Sequence, residues 1–225
     1  MKLRLKLYPA ALLLALACCG CFSVDIQTAV NRRGGGTRAF EIVMDPMMAG
    51  LYNKTPGSDK FFKIPGQGLQ AKPGVSLTGS GKTEMDDGSL KLSWSYRTGR
   101  AELLSDGNDS VKLYVTKPGI WVCYEYRENI LASQTDLADK LAGPNAYRFR
   151  HKLAMPGQII SHNADSIQSG LLLWNRPLGQ VTSKGLIMEA RSRELNHFYL
   201  LLAAILLTAG GGYFYWYRVR SINNP

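Results

Sequence analysis

Apolar and polar residues alternate along most of the chain between residues 23 and 191. A period of two is typical of strands that bury one face. The first two such segments, residues 23–30 and 38–44, flank a Gly-rich turn at residues 33–36, which predicts an antiparallel hairpin. Turn sequences rich in Gly, Pro, Asn and Asp separate the later segments. The pattern predicts nine further strands, at residues 75–82, 89–97, 101–104, 111–116, 120–127, 147–155, 158–163, 171–174 and 186–191.

Few segments have helical signals. Asp45 followed by Pro46 provides an N-cap and a first helical position, so we predict a short helix that ends near Tyr52. A capping box at Ser133 predicts a second helix, over residues 133–143, and residues 55–74 are expected to form a long loop. The strands follow each other through turns too short for crossover helices. The predicted fold class is therefore α+β, with a predominantly antiparallel sheet and one or two short helices.

The chain begins with features of an export signal. Three cations precede an uncharged, largely apolar run at residues 7–17, which is too short to cross a bilayer. Residues 1–21 are therefore predicted to be a signal of the lipoprotein type, since cysteines follow the run. Lipidation is expected at Cys21, after the small residue Gly20, with Cys18 as the competing site. Cleavage without lipidation and an uncleaved anchor remain alternatives.

A second apolar run, at residues 198–217, contains no charged residue and is long enough to span the hydrocarbon layer. It predicts one C-terminal transmembrane helix. Because the signal starts export and this run halts it, residues 22–197 are expected outside the cytoplasm and residues 218–225 inside. The predicted location is the cytoplasmic (inner) membrane, crossed once.

The charge distribution favours a membrane partner. The formal net charge is +10, but residues 22–197 contain 22 of the 27 Lys and Arg residues together with all 17 Asp and Glu residues. A mildly basic domain outside the cytoplasm does not meet nucleic acid and is expected to be attracted to anionic lipid headgroups.

The segment at residues 147–153 is the candidate binding site. Its cations point to one face of the predicted strand, and its aromatic and apolar residues point to the other. One interpretation is a cationic patch that binds headgroup phosphates. The other is a half-buried strand whose outer face is exposed to solvent. Tyrosines of the segment at residues 120–127 are expected nearby in the same sheet. The predicted lipid-binding residues are Arg148, Arg150, Lys152, Tyr124 and Tyr126.

Motifs for catalysis are weak. The sequence Gly79-Ser80-Gly81-Lys82-Thr83 suggests a phosphate-binding loop, but its first glycine is missing and a strand is predicted after it. The three histidines lie in unrelated settings, and we predict neither an enzyme nor a cofactor or metal site. Cys123 is expected to be a small core residue.

Several features in order along the chain resemble the LppM-type family of bacterial lipoproteins. They are the Gly20-Cys21-Phe22 sequence with the strand that follows it, the basic Gly-rich hairpin, the segment at residues 155–164, the later Trp174 and the terminal apolar run. The resemblance implies an α+β domain outside the cytoplasm that is tethered to the membrane and binds lipid or glycolipid without turnover. Trp174 is expected to close a core. The alternative function is a structural or assembly subunit that holds a partner membrane protein.

Overall fold

The computed structural model describes residues 22–54, 66–107, 109–132 and 147–223. The predicted signal with Cys18 and Cys21, the helix predicted at residues 133–143 and the tip of the tail lie outside the described residues.

Strands dominate the described chain. Helix α1 (Pro46–Lys54) begins after Asp45, whose Oδ1 accepts a hydrogen bond from the backbone N–H of Met48 at 2.8 Å, as the predicted N-cap requires. The strands are β1 (Phe22–Val30), β2 (Gly36–Met44), β3 (Val75–Glu84), β4 (Leu90–Thr98), β5 (Asp109–Thr116), β6 (Trp121–Ile130), β7 (Tyr147–Ala154), β8 (Gln158–His162), β9 (Ser166–Gln168), β10 (Leu171–Pro177) and β11 (Leu186–Leu195). The helices are α1 (Pro46–Lys54), α2 (Leu178–Lys184) and α3 (His197–Asn223).

The strands form two sheets. A seven-stranded sheet has the order β3-β4-β2-β1-β7-β10-β9, and a four-stranded sheet has the order β5-β6-β11-β8. The pairings are antiparallel, with the exception of the parallel pair β1 and β7, where Asp25 lies opposite Arg150. The predicted α+β class with a mainly antiparallel sheet is confirmed.

Buried side chains from both sheets form the core. One cluster joins Leu153 and Trp174 of the large sheet to Leu113, Tyr126 and Met188 of the small sheet. Trp174 is fully buried, and its indole N–H donates to Asn163 Oδ1 at 3.1 Å. Trp174 therefore closes the core, as the sequence predicts.

Two local predictions are wrong. Residues 101–104 form a 3₁₀ turn, Ala101–Leu104, because the sequence Ala-Glu-Leu-Leu buries its first and last residues, which is helical spacing. Cys123 is half-buried on the side of β6 that points away from the core. Its neighbours Val122 and Tyr124 take the buried positions of the alternation. Of the long loop predicted at residues 55–74, residues 55–65 lie outside the described residues. The described part, residues 66–74, connects to β3 through a 3₁₀ turn at Gln67–Ala71.

Helix α3 contains the predicted apolar run. Its segment His197–Trp216 has a mean hydropathy of 1.6, and none of it is buried against the rest of the chain. By length and composition this segment could cross a membrane. Asn196 is the single residue that separates α3 from β11.

Candidate functional site

The alternation predicted for β7 is present. Phe149, His151 and Leu153 are buried in the core, whereas Arg148, Arg150 and Lys152 point to the opposite face of the seven-stranded sheet, which we call the outer face. The other described strands of this sheet contribute half-buried and exposed side chains to the same face. The three cations thus form a ladder along one side of an open surface.

One of the three cations is paired with an acid. Arg150 Nε lies 2.5 Å from Asp25 Oδ1, and Arg150 Nη2 donates to Asp25 Oδ2 at 2.7 Å. This hydrogen-bonded contact, which is partly offset by burial, raises the pKa of the Arg150 guanidinium. Among the described residues, Arg148 and Lys152 form no ion pair, so they are the two cations of the ladder available to an anion.

Across β1 and β2 from the ladder, the outer face has a floor of small residues on β3 and β4. The strand registers place Gly79 opposite Ser95, and Gly81 opposite Ser93. A Cβ atom at Gly79 would lie 3.0 Å from Ser95 Oγ, so the serine hydroxyls occupy the space above the glycines. An open groove of about 520 Å³ lies over this floor. Its polar lining includes Asp25, Gln27, Glu41, Ser93, Ser95, Arg150 and Lys152.

The two tyrosines predicted for this site are elsewhere. Tyr124 and Tyr126 belong to β6 in the four-stranded sheet, and both are buried. The Tyr124 hydroxyl donates to Glu194 Oε1 at 2.8 Å, and burial, together with Glu194, raises the pKa of Tyr124 to about 12. The expectation that β6 and β7 share a sheet is wrong, because hydrophobic alternation does not specify which strands become neighbours.

A buried polar cluster joins the two sheets. Arg38 of β2 is fully buried, and its guanidinium contacts Glu128 of β6 and, at 2.5 Å, Asp109 of β5. The Tyr126 hydroxyl donates to Glu128 Oε2 at 2.5 Å, and His151 Nε2 lies 3.6 Å from the same oxygen. Among the described residues, neither ring nitrogen of His151 has a hydrogen-bond partner.

Burial and charge shift the ionisation of this cluster. Burial acts to lower the pKa of Arg38, but Glu128 and Asp109 outweigh it and raise that pKa above its usual value. Burial raises the pKa of the Asp109 carboxyl to about 6, although Arg38 opposes the shift. Burial and the nearby Arg38 lower the pKa of His151 well below its usual value. The cluster therefore holds Arg38 charged and His151 neutral near pH 7.

The structure locates the glycine-rich segment of the suspected phosphate loop. Residues 79–83 lie within β3, at the edge of the seven-stranded sheet, and Lys82 Nζ donates to Asn53 Oδ1 at 2.9 Å. The glycines therefore form part of the groove floor and do not surround a phosphate as a loop before a helix would.

Sequence reasoning missed the residues that surround the ladder. Asp25 and Glu41 occupy the polar positions of the predicted hairpin and pair with each other in register, which the alternation alone could have indicated. The positions of Ser93 and Ser95 in the groove floor depend on the order of strands within the sheet. No local sequence pattern specifies that order.

Comparisons with known proteins add little beyond this geometry. No protein family matches the chain, and no curated protein matches it. Among solved structures, the NMR structure of the folded domain of Mycobacterium tuberculosis LppM is similar to the chain at 18% sequence identity. The match covers 78% of this chain and 91% of that chain, with a TM-score of 0.38.

Proposed function

We propose that the chain is an exported, membrane-tethered domain that binds the anionic headgroup of a lipid or glycolipid on the outer face of its seven-stranded sheet. The observation that carries the proposal is the position of Lys152. This cation lines the 520 Å³ groove, and no carboxylate among the described residues pairs with it. Arg148 lies two residues before Arg150 on the same face of β7.

The groove offers complementary groups for such a headgroup. A phosphate in the groove would be attracted to Lys152, which supplies charge-assisted hydrogen bonds. Arg148 lies on the same face of β7 outside the groove lining and adds a positive charge nearby. Hydroxyl groups of a sugar or glycerol could donate to Glu41 and Asp25, and the hydroxyls of Ser93 and Ser95 can donate or accept. The small residues of the floor allow a flat ring to approach the backbone of the sheet.

The proposed function is binding of a lipid without catalytic turnover. His151, which belongs to the cationic strand, is buried on the opposite side of β7 with a pKa well below its usual value. It is therefore poorly placed to transfer a proton to a ligand in the groove. The tether in this proposal is α3, whose length and hydropathy suit one membrane crossing.

The test uses native mass spectrometry of the full chain released from membranes in mild detergent. We expect the wild-type chain to retain an anionic lipid, and the double variant Arg148→Ala/Lys152→Ala to lose most of it, because both unpaired cations of the ladder are removed. The matched control is Lys112→Ala/Lys184→Ala, which removes two exposed cations from other surfaces. Equal lipid retention by both double variants would contradict the proposal.

The alternative is an assembly subunit that holds a partner membrane protein. In that case the wild-type chain would carry a stoichiometric protein and no lipid, and Arg148→Ala/Lys152→Ala would leave the complex intact if the cations play no part. The same spectra distinguish the two functions, because a lipid and a protein differ in mass by more than an order of magnitude.

A further inference from the structure

The start of α3 is fixed to the folded domain. The backbone N–H of Asn196 donates to the Ile120 carbonyl at 2.8 Å, and its side-chain Oδ1 accepts from the N–H of Phe198 at 3.1 Å. Asn196 thus continues the pairing of the small sheet and also caps the helix. A one-residue connection with these bonds leaves little freedom between the domain and α3.

A second contact reaches this junction from the other sheet. Arg32, in the turn between β1 and β2, pairs with Glu194 at 2.8 Å and lies 3.4 Å from His197 Nε2. Glu194 also accepts from Tyr124. The end of the sandwich that carries the β1–β2 turn is therefore held beside the first residue of α3.

Unpaired cations collect at this end. Arg33 lies in the same turn, and Arg100 follows β4 next to it, since the N–H of Ala101 donates to the Gly34 carbonyl at 2.9 Å. Lys117 lies in the turn between β5 and β6, close to Ile120. All three are exposed, and their side chains contact no acid within the described part of the chain. We call Arg33, Arg100 and Lys117 the basic rim.

Apolar and aromatic groups accompany the basic rim. Ile120 is 52% exposed, and Arg193 lies over the Trp121 ring at 4.6 Å from its centroid. Phe198 and Tyr199 begin the apolar helix on the same side. Cations beside aromatic rings and exposed aliphatic residues are the usual composition of a surface that meets lipid headgroups.

We propose that the basic rim rests on the anionic phospholipid headgroups of the leaflet into which α3 enters. The partner follows from continuity and charge: residues bonded to the first turn of a membrane-crossing helix lie at headgroup depth, and three unpaired cations there favour anionic lipid. The inference shares with the proposed function the assumption that α3 crosses a membrane, but it does not depend on the groove or on Lys152.

The test measures the lipids that surround the full chain in phosphatidylcholine bilayers. Spin-labelled phosphatidylglycerol is compared with spin-labelled phosphatidylcholine by the fraction of each that is immobilised next to the protein. All proteins carry Arg218→Gln and Arg220→Gln, so that the opposite end of α3 contributes no arginine. The rim variant adds Arg33→Gln, Arg100→Gln and Lys117→Gln, and its matched control adds Lys54→Gln, Lys112→Gln and Lys184→Gln.

We expect the chain with an intact rim to prefer phosphatidylglycerol by about fivefold or more at low salt, the factor that one nearby cation provides. The preference should fall towards equality in the rim variant and persist in the control. High salt should reduce the intact chain to the level of the rim variant. Equal preference in the rim variant and its control would overturn the inference, even if the Arg148→Ala/Lys152→Ala experiment supports the groove.

Discussion

At the scale of single residues, Arg38 shows what sequence reasoning found and what it missed. Alternation places residue 38 in phase with Phe40, Ile42 and Met44, and the structure confirms that all four are buried. Burial of an arginine at such a position is unexpected, because an isolated buried cation is very unfavourable. Its two acid partners lie 71 and 90 residues further along the chain, so no local pattern could identify them.

His151 gives a prediction about pH. Its pKa is lowered well below 6.5 in the folded chain, so the unfolded chain binds a proton first as the pH falls. The contribution of His151 to stability is therefore complete above about pH 6.5 and is lost progressively below it. We expect His151→Phe to reduce the loss of stability between pH 7 and pH 5, measured as the free energy of unfolding in urea.

Over part of this pH range, Asp109 has the opposite effect on stability, since it makes the folded chain more stable as the pH falls. Its pKa is raised to about 6, so the folded chain retains a proton that the unfolded chain has released, and its contribution falls as the pH rises from about 4 to 6. Because Asp109 is present in both proteins, comparing His151→Phe with the wild type isolates the histidine. If both proteins lose the same free energy on acidification, His151 is not the group responsible.

At the scale of elements, alternation predicted most strands but not their neighbours. Strands β7 and β6 were expected in the same sheet. Instead, β7 pairs in parallel with β1 of the other sheet, where Asp25 and Arg150 are 125 residues apart along the chain. The short strand β9 and helix α2 went unpredicted, because three and seven residues are too few to show a period. The candidate face of β7 was thus predictable, whereas the acids and serines beside it were not.

A substitution at Gly157 tests how tightly the connection between β7 and β8 packs against β11. Its φ of 74° is left-handed, and a Cβ atom there would overlap the backbone oxygen of Arg193. We expect Gly157→Ala to lower the free energy of unfolding by more than about 1 kcal/mol, because the pairing of β8 with β11 must shift. Circular dichroism during urea unfolding would measure the change.

Gly170 is the matched control for this substitution. It has a similar φ of 80°, but an added Cβ atom would meet nothing within 4 Å. Gly170→Ala should therefore cost only the backbone strain, about 1 kcal/mol. Equal losses for the two variants would show that the contact with Arg193 is unimportant.

At the scale of the whole molecule, the two ends of the domain lie far apart. Strand β1 runs from Phe22, the residue after Cys21, to Val30, a length of about 26 Å at 3.3 Å per residue. Only the far end of β1 adjoins α3, through Arg32 and Glu194. A lipid on Cys21 and a spanning α3 can therefore share one bilayer only when β1 lies along its surface.

This separation predicts that acylation orients the domain. In oriented bilayers, polarised infrared spectra of the amide I band should show strands close to the membrane plane for the wild-type chain. Cys21→Ser should release that end and change the strand dichroism, and Cys18→Ser should leave it unchanged. The opposite result for the two variants would place the lipid on Cys18, and no change for either would mean that this end is not held by a lipid.

Both the proposed headgroup site and the basic rim require the domain to lie outside the cytoplasm. Protease added to intact spheroplasts tests this directly when the chain carries an epitope tag after Pro225. We predict that residues 22–197 are digested while a tagged fragment that contains α3 and residues 218–225 survives. Loss of the tag with survival of the domain would contradict both the proposed function and the position of the basic rim.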